Sequence, residues 1–240
     1  MNISIKHFNA IFCSAWLCFS PNITLAQDAQ PASILPAAAD LDLSLQYFNR
    51  ELSTDGVLHE SRYAETMLRR DGHVWTQRVL PKQVSANDTM HPNHEHKDFN
   101  YIVLPRHVTF DGNKPVVEFI NPHDRQVIYI APTEYENVNF DGSWLNTYYL
   151  INPQTVANMP RSRRTSPSAR AQWHELSKNG LFQRVLWDEK LNIPLLIETG
   201  DNAGTFLQRI KTSPHTKRVQ DLPWQHLQGY TQKEYSDFLD

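Results

Sequence analysis

The 240-residue chain carries 23 Lys+Arg against 26 Asp+Glu, a formal net charge of −3 at pH 7, with 40% hydrophobic and 20% charged residues. That balance excludes the overall basic field of a nucleic-acid-binding protein and the strongly acidic field of a cation store. The only two cysteines, Cys13 and Cys18, both sit near the N-terminus.

Lys6 is the one charged residue ahead of an apolar run from Phe8 to Phe19, and Thr24-Leu25-Ala26 places small residues where a signal peptidase reads them. Residues 1–26 are therefore expected to be a cleavable secretory signal, and the protein to be periplasmic. The run is shorter than the ~20 residues of a membrane span, so no permanent membrane anchor is expected. Neither cysteine follows the small residues of a lipoprotein signal. The mature chain should then hold no thiol, which excludes thiolate metal and redox chemistry and leaves a hydrophobic core to carry the fold.

Residues 27–40, rich in Ala and Pro, read as a flexible tether, and residues 41–240 as a single domain with a C-terminal helical segment. From Leu41 to Tyr47 apolar and polar residues alternate, as in a strand, while Leu41, Leu45 and Phe48 fall at helical spacing; we take the helix. Ser61 to Arg69 and His73 to Leu80 flank Arg70-Asp71-Gly72 and read as a hairpin. Residues Pro81 to Lys97 form a polar loop, and Asp98 to Phe110 fits either a short helix or a strand. Val116 to Ile120 and Gln126 to Ile130 make an antiparallel pair around the turn Asn121 to Arg125.

Trp144, Tyr148 and Ile151 form a helical stripe behind Asp141 or Ser143 as cap. A basic exposed loop with Arg161, Arg163, Arg164 and Arg170 comes next, suited to an acidic partner or lipid headgroups, or simply solvated. Ala169 to Thr212 then parses into four extended segments with turns at Asn179-Gly180, Asp188 to Asn192 and Gly200 to Gly204, a strand meander. Asp221-Leu222-Pro223-Trp224 is a helix start. Thr231 and Glu234 form a capping box before the apolar face Tyr235, Phe238 and Leu239, so the chain is expected to close with a short docked helix.

Met90 to Asp98 places His91, His94 and His96 within six residues, with Glu95 and Asp98 as oxygen donors. Three imidazoles can hold Zn or Cu; the plainer reading is a solvated loop, since no ligand from elsewhere in the chain is indicated. No Gly-x-Ser-x-Gly elbow is present, and eight glycines leave no phosphate-cradling loop. Trp75, Trp144, Tyr148, Ile193, Leu195, Ile197 and Phe206 are candidates to line an apolar groove on the sheet, and such residues more often make core.

The stretch Val185 to Gly204, a strand ending in an aspartate turn, a Pro-containing strand and a second turn at Asp201-Asn202-Ala203-Gly204, resembles the late hairpin of the periplasmic lipoprotein-handling LolA, LolB and RseB group. Tyr63 to Leu80 is similar to that group's early strands. The resemblance implies an unclosed antiparallel barrel around helices, with a hydrophobic cavity that accepts acyl chains or docks a partner protein.

The expected architecture is α+β: a curved antiparallel sheet of hairpins, an open half-barrel, with a few short helices packed on its concave side. The expected function is that of an exported, non-enzymatic binding or accessory protein. Its groove would hold an apolar small molecule or acyl chain, or dock a periplasmic or membrane-anchored protein. The alternative is a periplasmic metal-binding or metal-delivery protein using His91, His94 and His96.

Overall fold

The structure is a computed structural model that describes residues 39–81 and 99–239. The proposed signal segment, most of the tether and the loop bearing His91, His94 and His96 lie outside the described residues. Among the described residues eleven strands form one sheet: β1 (Leu41–Leu52), β2 (Leu58–Arg70), β3 (His73–Arg78), β4 (Arg106–Phe110), β5 (Pro115–Asn121), β6 (Gln126–Ile130), β7 (Ala171–Lys178), β8 (Leu181–Asp188), β9 (Ile193–Asp201), β10 (Phe206–Pro214) and β11 (Thr231–Glu234). Their spatial order is β11-β6-β5-β4-β3-β2-β1-β10-β9-β8-β7, and every pairing is antiparallel except β11 on β6. The sheet is an open half-barrel, as expected.

The meander from Ala169 to Thr212 is β7 to β10, and its turns arise from local chemistry. Asn179 and Gly180 both have positive φ, 52° and 79°, the conformation a two-residue hairpin loop requires and these two residues tolerate. Asp188 Oδ1 accepts the backbone N–H groups of Lys190 and Leu191, each at 3.0 Å, and so shapes the β8–β9 turn. Asp201 does the same for the β9–β10 turn through Thr205 N at 2.7 Å.

One face of the sheet carries the helices. Val108, Val117, Phe119, Ile128 and Ile130 of β4 to β6 pack there against Val138 and Phe140, with the 3-10 helix Pro132–Val138 lying alongside. Helix α1 (Trp144–Tyr149) starts at Ser143, whose Oγ accepts Asn146 N at 3.1 Å. Asn152 caps α2 (Pro153–Ala157) in the same way. Of the stripe Trp144, Tyr148, Ile151, the first two lie on α1 and Ile151 is buried in the link between α1 and α2.

Two segments differ from expectation. Leu41 to Phe48 is not a helix but β1, the strand bracketed by β2 and β10. Positions four apart satisfy both periods, and pairing on two sides decides for the strand. Thr231 to Glu234 does not cap a helix: it is the parallel strand β11, and a single 3-10 turn, Tyr235–Phe238, comes after it. The box is displaced by three residues, with Glu234 as cap and Asp237 Oδ2 accepting Glu234 N at 3.2 Å. Of the segment Asp98 to Phe110, the described part from Phe99 forms a turn near Tyr101 to Leu104 and then β4. The basic loop lies along edge strand β7, with Ser162 N bonded to Trp173 O at 2.8 Å and Glu175 N to Pro160 O at 2.9 Å, which shields that edge.

Arg69, at 0% exposure, ties the helix-bearing face together. Its guanidinium donates to the carbonyls of Ala39 and Leu191, each at 3.0 Å, and reaches those of Tyr148 at 3.3 Å and Asn192 at 3.4 Å. It also lies 5.0 Å from the centre of the Tyr148 ring. Arg69→Ala strands these acceptors in a buried site and is expected to cost about 3–5 kcal/mol. Arg69→Lys should recover little of this, because one ammonium cannot span the fork. Urea unfolding followed by circular dichroism reads both. A second expectation concerns Gly200, where a Cβ would sit 2.7 Å from Phe182 Cζ and 2.9 Å from the Phe206 carbonyl oxygen; Gly200→Ala should lose about 1–3 kcal/mol in the same measurement.

Candidate functional site

Strand register sorts every side chain onto one of two faces. On the helix-bearing face the expected groove is largely occupied by the protein itself. Tyr148 is 6% exposed and Ile197 8%. Trp144 stacks on Phe110 with ring centres 5.1 Å apart, and its ring centre lies 4.9 Å from that of Tyr148. Phe206, opposite Glu51, is half-buried.

The stripe Ile193, Leu195, Ile197 does not share one side. A bulge between Leu186 and Trp187 pairs Ile193 with Asp188 and Ile197 with Val185, three residues apart on β8 and so on opposite sides of the pleat. Leu195 is the extra residue at the bulge. Trp75 is also separated from the others: it pairs with Leu68 and His107 on the outer face. The structure therefore brings Trp144 and Tyr148 together and does not gather all seven candidates.

That outer face holds two features. The first surrounds Trp75, where the segment after β10 crosses the sheet toward β11. Asp42, 1% exposed, anchors the crossing by accepting Val219 N at 2.5 Å and Arg70 Nη1 at 2.7 Å. Trp224 then stacks on His73 and His107, ring centres 5.2 and 5.4 Å away. His73 Nδ1 and His107 Nε2 are 3.1 Å apart, and His107 Nδ1 lies 3.5 Å from Glu118 Oε2. Burial first, and the neighbouring His107 second, hold the His73 imidazole below its ordinary pKa, with Asp71 opposing them.

The second feature is a row spanning six strands: Arg62 of β2, Phe48 of β1, Arg209 of β10, Glu198 of β9, Arg184 of β8 and Glu175 of β7. From β10 outward it is an ion-pair ladder. Arg209 meets Glu198 at 2.7 Å, and Arg184 and Arg164 meet Glu175 at 2.8 and 3.0 Å. Hydrogen bonds from Arg164 and Arg184 hold the Glu175 carboxyl down to about 2.

The row changes character at Phe48. Here the guanidinium carbons of Arg62 and Arg209 lie 4.9 and 6.0 Å from the ring centre. The next row, Ala64, Gln46 and Lys211, completes a cavity of about 550 Å³ whose lining includes three cations and no acid. Among the described residues Lys211 makes no ion pair. No local motif marks this site, because its residues come from three strands, the third distant in sequence from the other two.

The described residues contain no group of three or more His, Cys, Asp or Glu side chains placed to share a metal ion, and no helix long and apolar enough to cross a membrane. No protein-family model matches the chain, and no curated protein sequence does. Solved structures do match. They include PNGF-II, at 11% identity and TM-score 0.38 over 82% of this chain and 33% of that one. A LolA superfamily protein from Nitrosomonas europaea matches at 8% identity and TM-score 0.34 over 79% and 90%. The Pseudomonas aeruginosa MucA/MucB complex matches at 10% and 0.33 over 75% and 54%. The chain thus spans about a third of PNGF-II. The group that the sequence resembles is represented among the matches.

The depressed His73 pKa carries a sign. The unfolded chain takes up this proton near pH 6.5 and the folded chain only at lower pH, so the stability contributed by the neutral ring is complete above ~6.5 and is lost as pH falls below it. His73→Phe keeps a ring against Trp224 and removes the proton site. Urea midpoints across this window should fall less steeply with acidification in the variant than in the parent.

Proposed function

We propose that the protein is an exported, non-enzymatic binding protein whose working surface is the outer groove over Phe48. The observation that carries this reading is the cavity of about 550 Å³ between β2, β1 and β10, with an aromatic ring as its floor. The opposite face supplies less room, since its apolar side chains are packed against α1, α2 and the 3-10 segments. Export rests on the apolar run Phe8 to Phe19 and the small residues beyond it.

The groove offers what a docking site needs and a catalytic site does not. Phe48 is a half-buried ring on a rigid central strand, so it receives an apolar group without first ordering a loop. Covering one such side chain contributes about 1.5–3 kcal/mol, and polar contacts at the rim fix orientation. A partner segment or amphiphile that places one apolar group on Phe48 and polar groups beside Arg62 and Arg209 fits these dimensions.

A neutral apolar dye, N-phenyl-1-naphthylamine, tests the location by its fluorescence on binding. The parent protein is expected to bind it saturably. Phe48→Ser should weaken binding about tenfold, in keeping with the loss of one aromatic contact. Ile197→Ala, on the other face, should leave it unchanged. The opposite pattern, with Phe48→Ser silent and Ile197→Ala affected, moves the site to the helix-bearing face and overturns the reading.

A further inference from the structure

We infer that the groove over Phe48 takes an extended acidic segment of a partner protein; the inference rests on the groove being a docking site. The first argument is charge. Arg62, Arg209 and Lys211 line the cavity, and its lining contains no carboxylate. Arg62 and Arg209 are already held at the rim by Glu60 and Glu198, at 2.9 and 2.7 Å. Lys211 has no such partner among the described residues, so the groove keeps an uncompensated cation beside an aromatic floor.

The second argument is spacing. Phe48 and Gln46 present successive outer side chains of β1, about 6.8 Å apart in an ideal strand, and β2 and β10 flank them at about 4.8 Å on each side. An extended chain has the same two-residue repeat. Laid along β1, it sets one side chain on Phe48 and the next equivalent one beside Gln46 and Lys211. An apolar residue over the ring with acidic residues two positions away on either side meets all three cations.

The same geometry disfavours a flat anionic surface. A bilayer approaching the rim meets the carboxylates of Glu60 and Glu198 together with the guanidinia they hold, whereas a single strand of chain passes between them. Side-chain exposure agrees: Arg62 is 71% and Arg209 44% exposed, so both forks can turn toward an incoming carboxylate without disturbing the core.

The test compares two fluorescein-labelled octapeptides by anisotropy with the full chain, one repeating Phe-Ser-Glu-Ser and the other Phe-Ser-Lys-Ser, so that apolar and charged side chains alternate along the one face turned to the sheet. The acidic peptide is expected to bind and the basic one not. Affinity should fall about tenfold or more between ~50 and ~500 mM NaCl, as exposed charge contacts are screened. Lys211→Glu disturbs no ion pair of the described residues and should abolish acidic-peptide binding while naphthylamine binding persists. If the dye binds but both peptides bind equally, or Lys211→Glu leaves the acidic peptide bound, the acidic partner is wrong and the groove stands. Loss of both dye and peptide in the parent sinks both readings. Binding of anionic phosphatidylglycerol vesicles, lost in Lys211→Glu and without peptide binding, replaces the peptide with a membrane surface and overturns the inference.

Discussion

One guanidinium sets the geometry of this fold. Arg69 stands on β2, yet its hydrogen bonds end on the segment before β1, on α1 and on the β8–β9 turn. Those elements are remote in sequence and meet only because a curled sheet brings its two halves toward a common interior. A planar five-donor group can reach four carbonyls at once, more than the three donors of a lysine ammonium allow. The charge itself is eased by the faces of Tyr148 and Tyr149 rather than, among the described residues, by a carboxylate in hydrogen-bond contact. Curvature, helix placement and turn position are therefore coupled through one side chain.

That coupling bears on where binding takes place. With α1 fastened down by Arg69, Tyr148 and Tyr149 cover the sheet, and α2 extends the cover with Val156. Much of the helix-bearing face becomes core. The outer face is then the side with choices left, and it divides them between structure and recognition. At β3 to β5 it is covered by the crossing segment and Trp224. From β7 to β10 it is closed by alternating arginine and glutamate. Between these lies Phe48, where the ladder lacks an acid and an aromatic ring stands in its place.

Much of the architecture is legible in the residues. Asn179-Gly180, Asp71-Gly72 and the aspartates at 188 and 201 mark turns that the backbone adopts for the reasons their chemistry implies. The groove is not legible, and β1 shows why. Read as a helix, Leu41, Leu45 and Phe48 form one apolar stripe; in the strand, Leu41 and Leu45 face the helices while Phe48 faces outward with Arg62 and Arg209. Periodicity over eight residues cannot choose between the two, and the choice moves the key aromatic to the other side of the protein. The bulge at Leu186 and Trp187 hides the alternation of β9 similarly, since one extra residue reverses the facing of every residue beyond it. The pairing of His73, His107 and Trp224 joins residues from three distant segments, and no local pattern announces it.

The parallel placement of β11 also dictates an order of events. Thr231 lies beside Gln126, and the chain between them includes the whole meander that builds the other half of the sheet. The closing segment cannot cross the outer face until β1 to β5 exist as a surface, so its loop-closure entropy is overcome last. Tyr235 and Phe238, which finish the cluster around Phe99 and Phe119, arrive with it. A chain emerging N-terminus first must hold that cluster open until Tyr235 and Phe238 have been made. Strand β11 and the turn after it act as a latch over that cluster, and the apolar surface beneath them is what a nascent-chain chaperone would encounter before they dock.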